Sequence, residues 1–242
     1  MAAAVTRFPS LADGVQAAIA IVRSGVAIAR CEFLDEKCIA NVNAHDGLNL
    51  EEAPTLLFEF HGSPRSVEED AQVVEEIVKE FNGTNFEWTS DEGGRRKLWQ
   101  ARHNAYWAGI AAHPGKRAIS TDAAVPLSKL ADAVKLTEEI LSNSPFPFSI
   151  LGHVADGNFH AFIVTDPAKP EELPAVRELT HKITNSIIEL GGTCTGEHGI
   201  GAGKIESLEK EAGLESVAVM RAIKEALDPR GILNPGKIFS RQ

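Results

Sequence analysis

Asp156-Gly157, flanked by Phe148, Ile150 and Leu151 on one side and by Phe159, Phe162, Ile163 and Val164 on the other, is the feature that most constrains this fold. An Asp-Gly pair between apolar runs is a strong short-range signal for a β-hairpin closed by a two-residue turn. With those two residues as the turn, Ala155 pairs with Asn158, Val154 with Phe159, and His153 with His160. Directly opposed residues carry their Cβ atoms about 5 Å apart on one face of the sheet, a spacing from which two imidazoles can hold one divalent ion.

A second stretch, Gly191 to Gly203, supplies what a metal-binding pair of histidines lacks. Six glycines in thirteen positions leave a backbone with little intrinsic order, and Glu197 and His198 sit side by side in their middle. Glycine at this density lets a backbone approach a ligand closely, while an adjacent acid and imidazole offer one metal ligand and one proton acceptor. With Glu197 as third ligand the set becomes His153, His160 and a carboxylate, which leaves coordination positions open for a substrate. On a predicted helix, Leu98 to Trp107 concentrates aromatics around Arg102 and His103, and the Arg102 guanidinium suits a small carboxylate.

The hydrophobic pattern predicts an α+β chain. Ser10 caps a helix with Val15, Ile19 and Val22 on its apolar face, ended by Ser24-Gly25, and Val26 to Leu34 reads as a strand. A polar, irregular stretch around Asn41 to Glu52 precedes a strand from Thr55 to His61. Ser66 and Glu69 form a capping box ahead of a stripe of Ala71, Val74, Ile77, Val78 and Phe81. A strand follows at Asn85 to Ser90, then a helix from Asp91 to His113, a strand from Arg117 to Val125, and a helix capped by Ser128 that runs to Asn143. Beyond the hairpin, helices are expected at Pro170 to Leu190 and Ile205 to Leu227. This order fits a mostly antiparallel sheet with helices on one face, built from ferredoxin-like split βαβ elements. No repeat of fixed period is visible.

Composition narrows the partners. A net charge of −10 in 242 residues argues against nucleic acid or an anionic membrane surface. The longest early apolar run, Val15 to Val22, is too short to span a bilayer. Three cysteines, Cys31, Cys38 and Cys194, without zinc-type spacing point to packed thiols in a reducing compartment. No Gly-x-Gly-x-x-Gly follows a strand and there is no P-loop, so the parts that cradle a nucleotide's phosphates are not in these residues.

Taken together, the motifs resemble the C-terminal half of the FAD-linked oxidases of the vanillyl-alcohol oxidase type, most closely the mitochondrial branch that oxidises D-lactate with cytochrome c. The likeness runs from Phe8-Pro9-Ser10 through Ile28-Ala29-Arg30, Glu59-Phe60-His61-Gly62-Ser63, Arg102-His103-Asn104-Ala105, Gly152-His153, Phe159-His160 and Gly192 to Gly201, to Asn234-Pro235-Gly236-Lys237. It implies one C-terminal substrate and metal domain over residues 1–242, with FAD bound mainly by an N-terminal domain absent from this sequence, so that the chain is a fragment or one component of a split enzyme, inactive alone. It also implies a divalent metal, zinc or manganese, on His153, His160 and Glu197. His198 becomes the base and Arg102 the clamp for the carboxylate of a D-2-hydroxy acid. Gly196, Glu197, Gly199, Asn234 and Lys237 approach the flavin ring. D-Lactate oxidised to pyruvate is the expected reaction, with cytochrome c as acceptor in mitochondria. D-2-hydroxyglutarate dehydrogenase, a glycolate oxidase subunit, or a non-catalytic metal- or metabolite-binding module are the alternatives.

Overall fold

The computed structural model describes residues 1–240, and it is built on one sheet of eight strands in the order β4-β1-β3-β2-β7-β8-β5, with β6 also pairing β8. The first four strands are β1 (Ala2–Arg7), β2 (Ile28–Leu34), β3 (Thr55–Phe60) and β4 (Thr84–Thr89). Helix α1 (Leu11–Ser24) joins β1 to β2 and α3 (Pro64–Glu80) joins β3 to β4. Neighbouring strands are antiparallel, so β1 and β2 run parallel with β3 between them, and β3 and β4 run parallel with β1 between them. That is a ferredoxin-like unit of two interleaved split βαβ elements.

The same plan recurs in the second half. Strands β5 (Arg117–Ser120) and β6 (Ala123–Ala124) lead through a short 3-10 turn into α5 (Leu130–Ser142), then β7 (Phe148–His153), β8 (Asn158–Thr165) and α6 (Glu172–Glu189). β8 lies between β5 and β7, antiparallel to both. The position of a fourth strand is held by one residue, Thr193, bridged to Ala124. The two units join edge to edge, with β2 antiparallel to β7. The repeat lies in topology rather than in sequence spacing, which is why no period is visible along the chain.

Local chemistry explains most boundaries. Ser10 caps α1 by accepting from the Asp13 amide, and Gly25 ends it in the left-handed conformation at φ 78°. Pro64 opens α3 behind Ser63, whose hydroxyl accepts from the Ser66 amide, so α3 starts a turn earlier than the Ser66–Glu69 pair suggests. Asp91 caps α4 (Glu92–Ala111) despite Gly93 and Gly94. At α5 the chain enters through the 3-10 turn Leu127–Lys129 with no side-chain cap, so Ser128 is not one.

Helices cover both faces of the sheet rather than one. The larger core packs α1, α3, α5 and α6 against Phe33, Phe58, Phe60, Phe159 and Ile163. The opposite face carries a second core around Leu34, Leu57 and Leu151, covered by α2 (Glu36–Asp46) and α4. α2 occupies part of the stretch read as irregular; only Cys38, Ile39 and Val42 are buried on it, too few for a clear periodic stripe. Asp35 caps α2 through the Cys38 amide and also accepts the Ile150 amide of β7, tying that helix to the sheet. The final helix, α7 (Ile205–Leu227), breaks at Gly213 and leaves Leu214, Val219, Ile223 and Leu227 exposed.

Candidate functional site

The β7–β8 hairpin turns more widely than an Asp-Gly pair suggests. Val154 to Asp156 form a 3-10 turn and Gly157 ends it at φ 74°. Its backbone lies so close to the Val125 carbonyl that an added Cβ would sit 2.2 Å away. The pairing is therefore His153 with Asn158 and Leu151 with His160, two residues displaced from the expected register. A two-residue shift preserves the parity of a strand, so both histidines still point to the same face, now as diagonal neighbours. Their ring centroids are 5.9 Å apart and nearly perpendicular.

The glycine loop brings Glu197 and His198 to this pair. Glu197 Oε1 lies 3.0 Å from His160 Nε2, 3.7 Å from His153 Nε2 and 3.6 Å from His198 Nε2. His198 stacks nearly parallel on His160, with centroids 5.1 Å apart. Asp122, whose side chain is fully buried, holds the loop in this place. Its carboxylate accepts from the Thr195 hydroxyl, the backbone amides of Glu197 and His198, and Lys204 Nζ. Burial alone would raise the Asp122 pKa, but the bond from Lys204, the His198 amide and the Thr195 hydroxyl outweigh it and hold the group at about 2. Gly196 is required by contact: an added Cβ would meet Asn158 Oδ1 at 2.5 Å.

The tautomers of the hairpin histidines follow from their other nitrogens. His160 Nδ1 lies 3.1 Å from the Thr121 carbonyl, which only accepts, so Nδ1 carries the proton. His153 Nδ1 lies 2.7 Å from Glu32 Oε1 and donates likewise. Each neutral ring then aims an Nε2 lone pair toward the Glu197 carboxylate. Two acceptors facing each other at 3.0 Å require a cation or a proton between them. Burial lowers the pKa of His160 and works against the proton, whereas the bond that His153 donates to Glu32 raises the pKa of His153 over the opposing effect of burial. His160 Nε2 and Glu197 Oε1 are thus the donors that a divalent cation would bridge, and His153 turns its Nε2 toward the same oxygen at 3.7 Å, each imidazole oriented through its second nitrogen as metal-bound histidines are. The four residues that place one ligand atom each within 4.8 Å of one another are Asp122, His160, Glu197 and His198, a group that includes His198 and leaves out His153. Asp122 is already committed to four donors, which makes it the clasp of the loop rather than a ligand.

Arg102 reaches the site through Glu32, a buried residue of β2 that sequence reasoning missed. Arg102 Nε bonds Glu32 Oε2 at 2.9 Å, and Glu32, Arg102, His103 and His153 line a cavity of about 350 Å³ together with Arg30 and Trp99. Asp122 was missed as well. Glu32 lies in ordinary strand sequence and Asp122 in the two-residue gap between β5 and β6, with nothing local to mark either, and only the pairing of β2 with β7 and the bridge at Thr193 bring them to the histidines. Asn234 and Lys237 are not beside the histidines; they line a separate cleft along α7 with Arg221 and Lys224. The tail still touches the glycine loop, where the Ile238 amide bonds the Gly201 carbonyl. The backbone at Gly199, Gly201 and Gly203 is open, and an added Cβ there would meet nothing within 4 Å.

Residues 1–238 match the family model described as FAD linked oxidases, C-terminal domain. The chain is 43% identical over 239 residues to a protein of Danio rerio described as probable D-lactate dehydrogenase, mitochondrial, covering 99% of this chain and 48% of that protein. It is 41% identical to the mitochondrial D-lactate dehydrogenase (cytochrome) of Arabidopsis thaliana, covering 98% of this chain and 42% of that one. Among solved structures, 4-ethylphenol oxidase from Gulosibacter chungangensis superposes with a TM-score of 0.72 at 16% identity, over 99% of this chain and 54% of that chain, a likeness of fold. The chain thus spans less than half the length of these two curated relatives.

Proposed function

The chain belongs to the family of FAD-linked oxidase C-terminal domains, and from that premise we propose that it is the substrate- and metal-binding half of an FAD-dependent D-2-hydroxy-acid dehydrogenase. D-Lactate is the substrate and pyruvate the product. The observation that carries the reading is the convergence of the Nε2 atoms of His153, His160 and His198 on one carboxylate oxygen of Glu197, beside an arginine-lined cavity.

His153, His160 and Glu197 would hold a zinc or manganese ion, which would supply Lewis acidity at the hydroxyl end of the substrate. Arg102 receives the substrate carboxylate. Its Nε is occupied by Glu32, and its two Nη nitrogens make no bond to a protein acceptor among the described residues, so the end of the fork is free for two parallel bonds. His198 takes the hydroxyl proton at Nε2. Its ring is half exposed, held in plane by the stack on His160, and anchored at its backbone amide by Asp122. FAD supplies the acceptor for the hydride that leaves the substrate Cα. Gly196, Glu197 and Gly199 would contact it, and Asn234 and Lys237, which line a separate cleft along α7, would do so from the tail that meets the glycine loop at Gly201. Cytochrome c is the electron acceptor and the mitochondrion the location. No helix among the described residues is long and apolar enough to cross a membrane.

The test is anaerobic flavin bleaching after the chain is combined with the FAD-binding domain. D-Lactate bleaches the flavin, L-lactate does not, and His198→Asn slows bleaching by about 10²-fold or more while leaving bound metal in place. D-2-hydroxyglutarate and glycolate react more slowly. Metal binding without bleaching by any of these acids would overturn the catalytic reading and leave a metal-binding module.

A further inference from the structure

The two halves of the proposed site, the carboxylate clamp and the metal donors, meet at one residue that neither the motifs nor the family model single out. Glu32 sits on β2, opposed to Leu57 on β3 and to His153 on β7. Its side chain is 8% exposed. A carboxylate so placed is costly unless both oxygens are used, and both are: Oε2 accepts from Arg102 Nε at 2.9 Å and Oε1 from His153 Nδ1 at 2.7 Å.

We propose that Glu32 is a positioning residue that locks the Arg102 guanidinium and the His153 imidazole into one unit, fixing the distance between the carboxylate clamp and the metal donors. The inference rests on the reading of the site given above. Two consequences follow from the geometry. By taking Nε, Glu32 turns the Arg102 fork end-on toward the cavity, the orientation in which both Nη groups can grip one carboxylate. By accepting from Nδ1, it fixes the His153 tautomer with Nε2 free and makes that nitrogen a better donor to a cation. Clamp and donor are thus held by opposite oxygens of one rigid carboxylate on a central strand, rather than by two independent contacts.

Another buried carboxylate provides the control. Asp35 lies three residues along the same segment and accepts from the Cys38 and Ile150 amides, with no hydrogen bond to His153, His160, Glu197 or Arg102 among the described residues. A merely structural role for Glu32 would make the two residues behave alike. Zinc binding is measured by calorimetry on the folded, metal-stripped chain, with thermal melting alongside, for the unmodified protein, Glu32→Gln, Glu32→Asp and Asp35→Asn. Glu32→Gln weakens zinc binding about 10–100-fold, the range seen for partners of metal-bound histidines. Glu32→Asp, which keeps the charge but is too short to reach both partners, weakens it about tenfold and serves where the Gln variant does not fold. Asp35→Asn melts earlier but binds zinc as the unmodified chain does. In the flavin-complete enzyme Glu32→Gln also raises KM for D-lactate more than it lowers kcat. Binding within about twofold of the unmodified chain in both Glu32 variants, at unchanged melting, would overturn the inference and leave the metal reading intact. Absence of zinc binding by the unmodified chain would overturn the metal reading itself, and this inference with it.

Discussion

The first and second ferredoxin-like units share a plan and differ at one place. In the first, β4 completes the sheet by pairing with β1 along its length. In the second, the equivalent strand shrinks to the Thr193 bridge and is replaced by the glycine loop, tied down by Asp122 instead of by a ladder of backbone bonds. The complete unit closes its sheet, and the incomplete one opens room for the candidate site. Where a strand would have buried its side chains, the loop instead presents Glu197 and His198 to a hairpin whose histidines are already oriented. The first unit is not silent, because β2 lends Glu32 across the junction.

The largest predicted effect lies in the first unit. Phe58, fully buried between sheet and helices, becomes a cavity on Phe58→Ala, which lowers stability by about 3–5 kcal/mol in chemical denaturation. Molecules that remain folded bind zinc normally, and a loss of affinity per folded chain would break the division between the units.

A second effect is a pH dependence at the junction. Burial pushes Asp35 up to about 7, against the pull of the Cys38 and Ile150 amides. The folded chain then holds a proton that the unfolded carboxyl, near 3.9, has released. The stability this contributes is complete below about pH 4 and is lost as pH rises through about 7, a change on the order of a few kcal/mol. Asp35→Asn flattens that slope in melting curves taken across the range. A slope unchanged in the variant would assign the dependence elsewhere.

Smaller effects belong to the loop. Asp122→Asn leaves Lys204 without its carboxylate and costs about 1–3 kcal/mol. Its clearest readout is hydrogen exchange, with protection lost at the amides of Glu197 and His198 while β1 to β4 stay protected. Exchange that rises evenly over both units would show the clasp to be global. Gly196→Ala forces its Cβ against Asn158 and costs about 1 kcal/mol, yet weakens zinc binding more than its effect on melting suggests, because the loop must lift from the hairpin.

The same contrast decides what could be read in the sequence. The histidine pair was legible because a strand's faces alternate with period two, so a register wrong by two residues still put His153 and His160 on one side. The turn itself was not legible, since the close approach of Gly157 to Val125 is a tertiary contact. β1 was missed because Ala2, Ala3 and Ala4 have weak strand preference and are buried on both faces, where no alternation marks them. α2 was missed for want of an apolar stripe. Helices were expected on one face because the second core, around Leu34 and Leu57, is closed by that unmarked helix together with α4. Glu32 and Asp122 depend wholly on which strands pair, and strand order is the part of a fold least written into any local segment.

The central claim is that hairpin and loop form one metal site, and elemental analysis of the purified chain tests it most directly. The account predicts about one zinc or manganese per chain, lost in His160→Ala while the variant stays folded by circular dichroism. Metal retained in His160→Ala, or absent from both proteins after zinc or manganese is supplied, would contradict it.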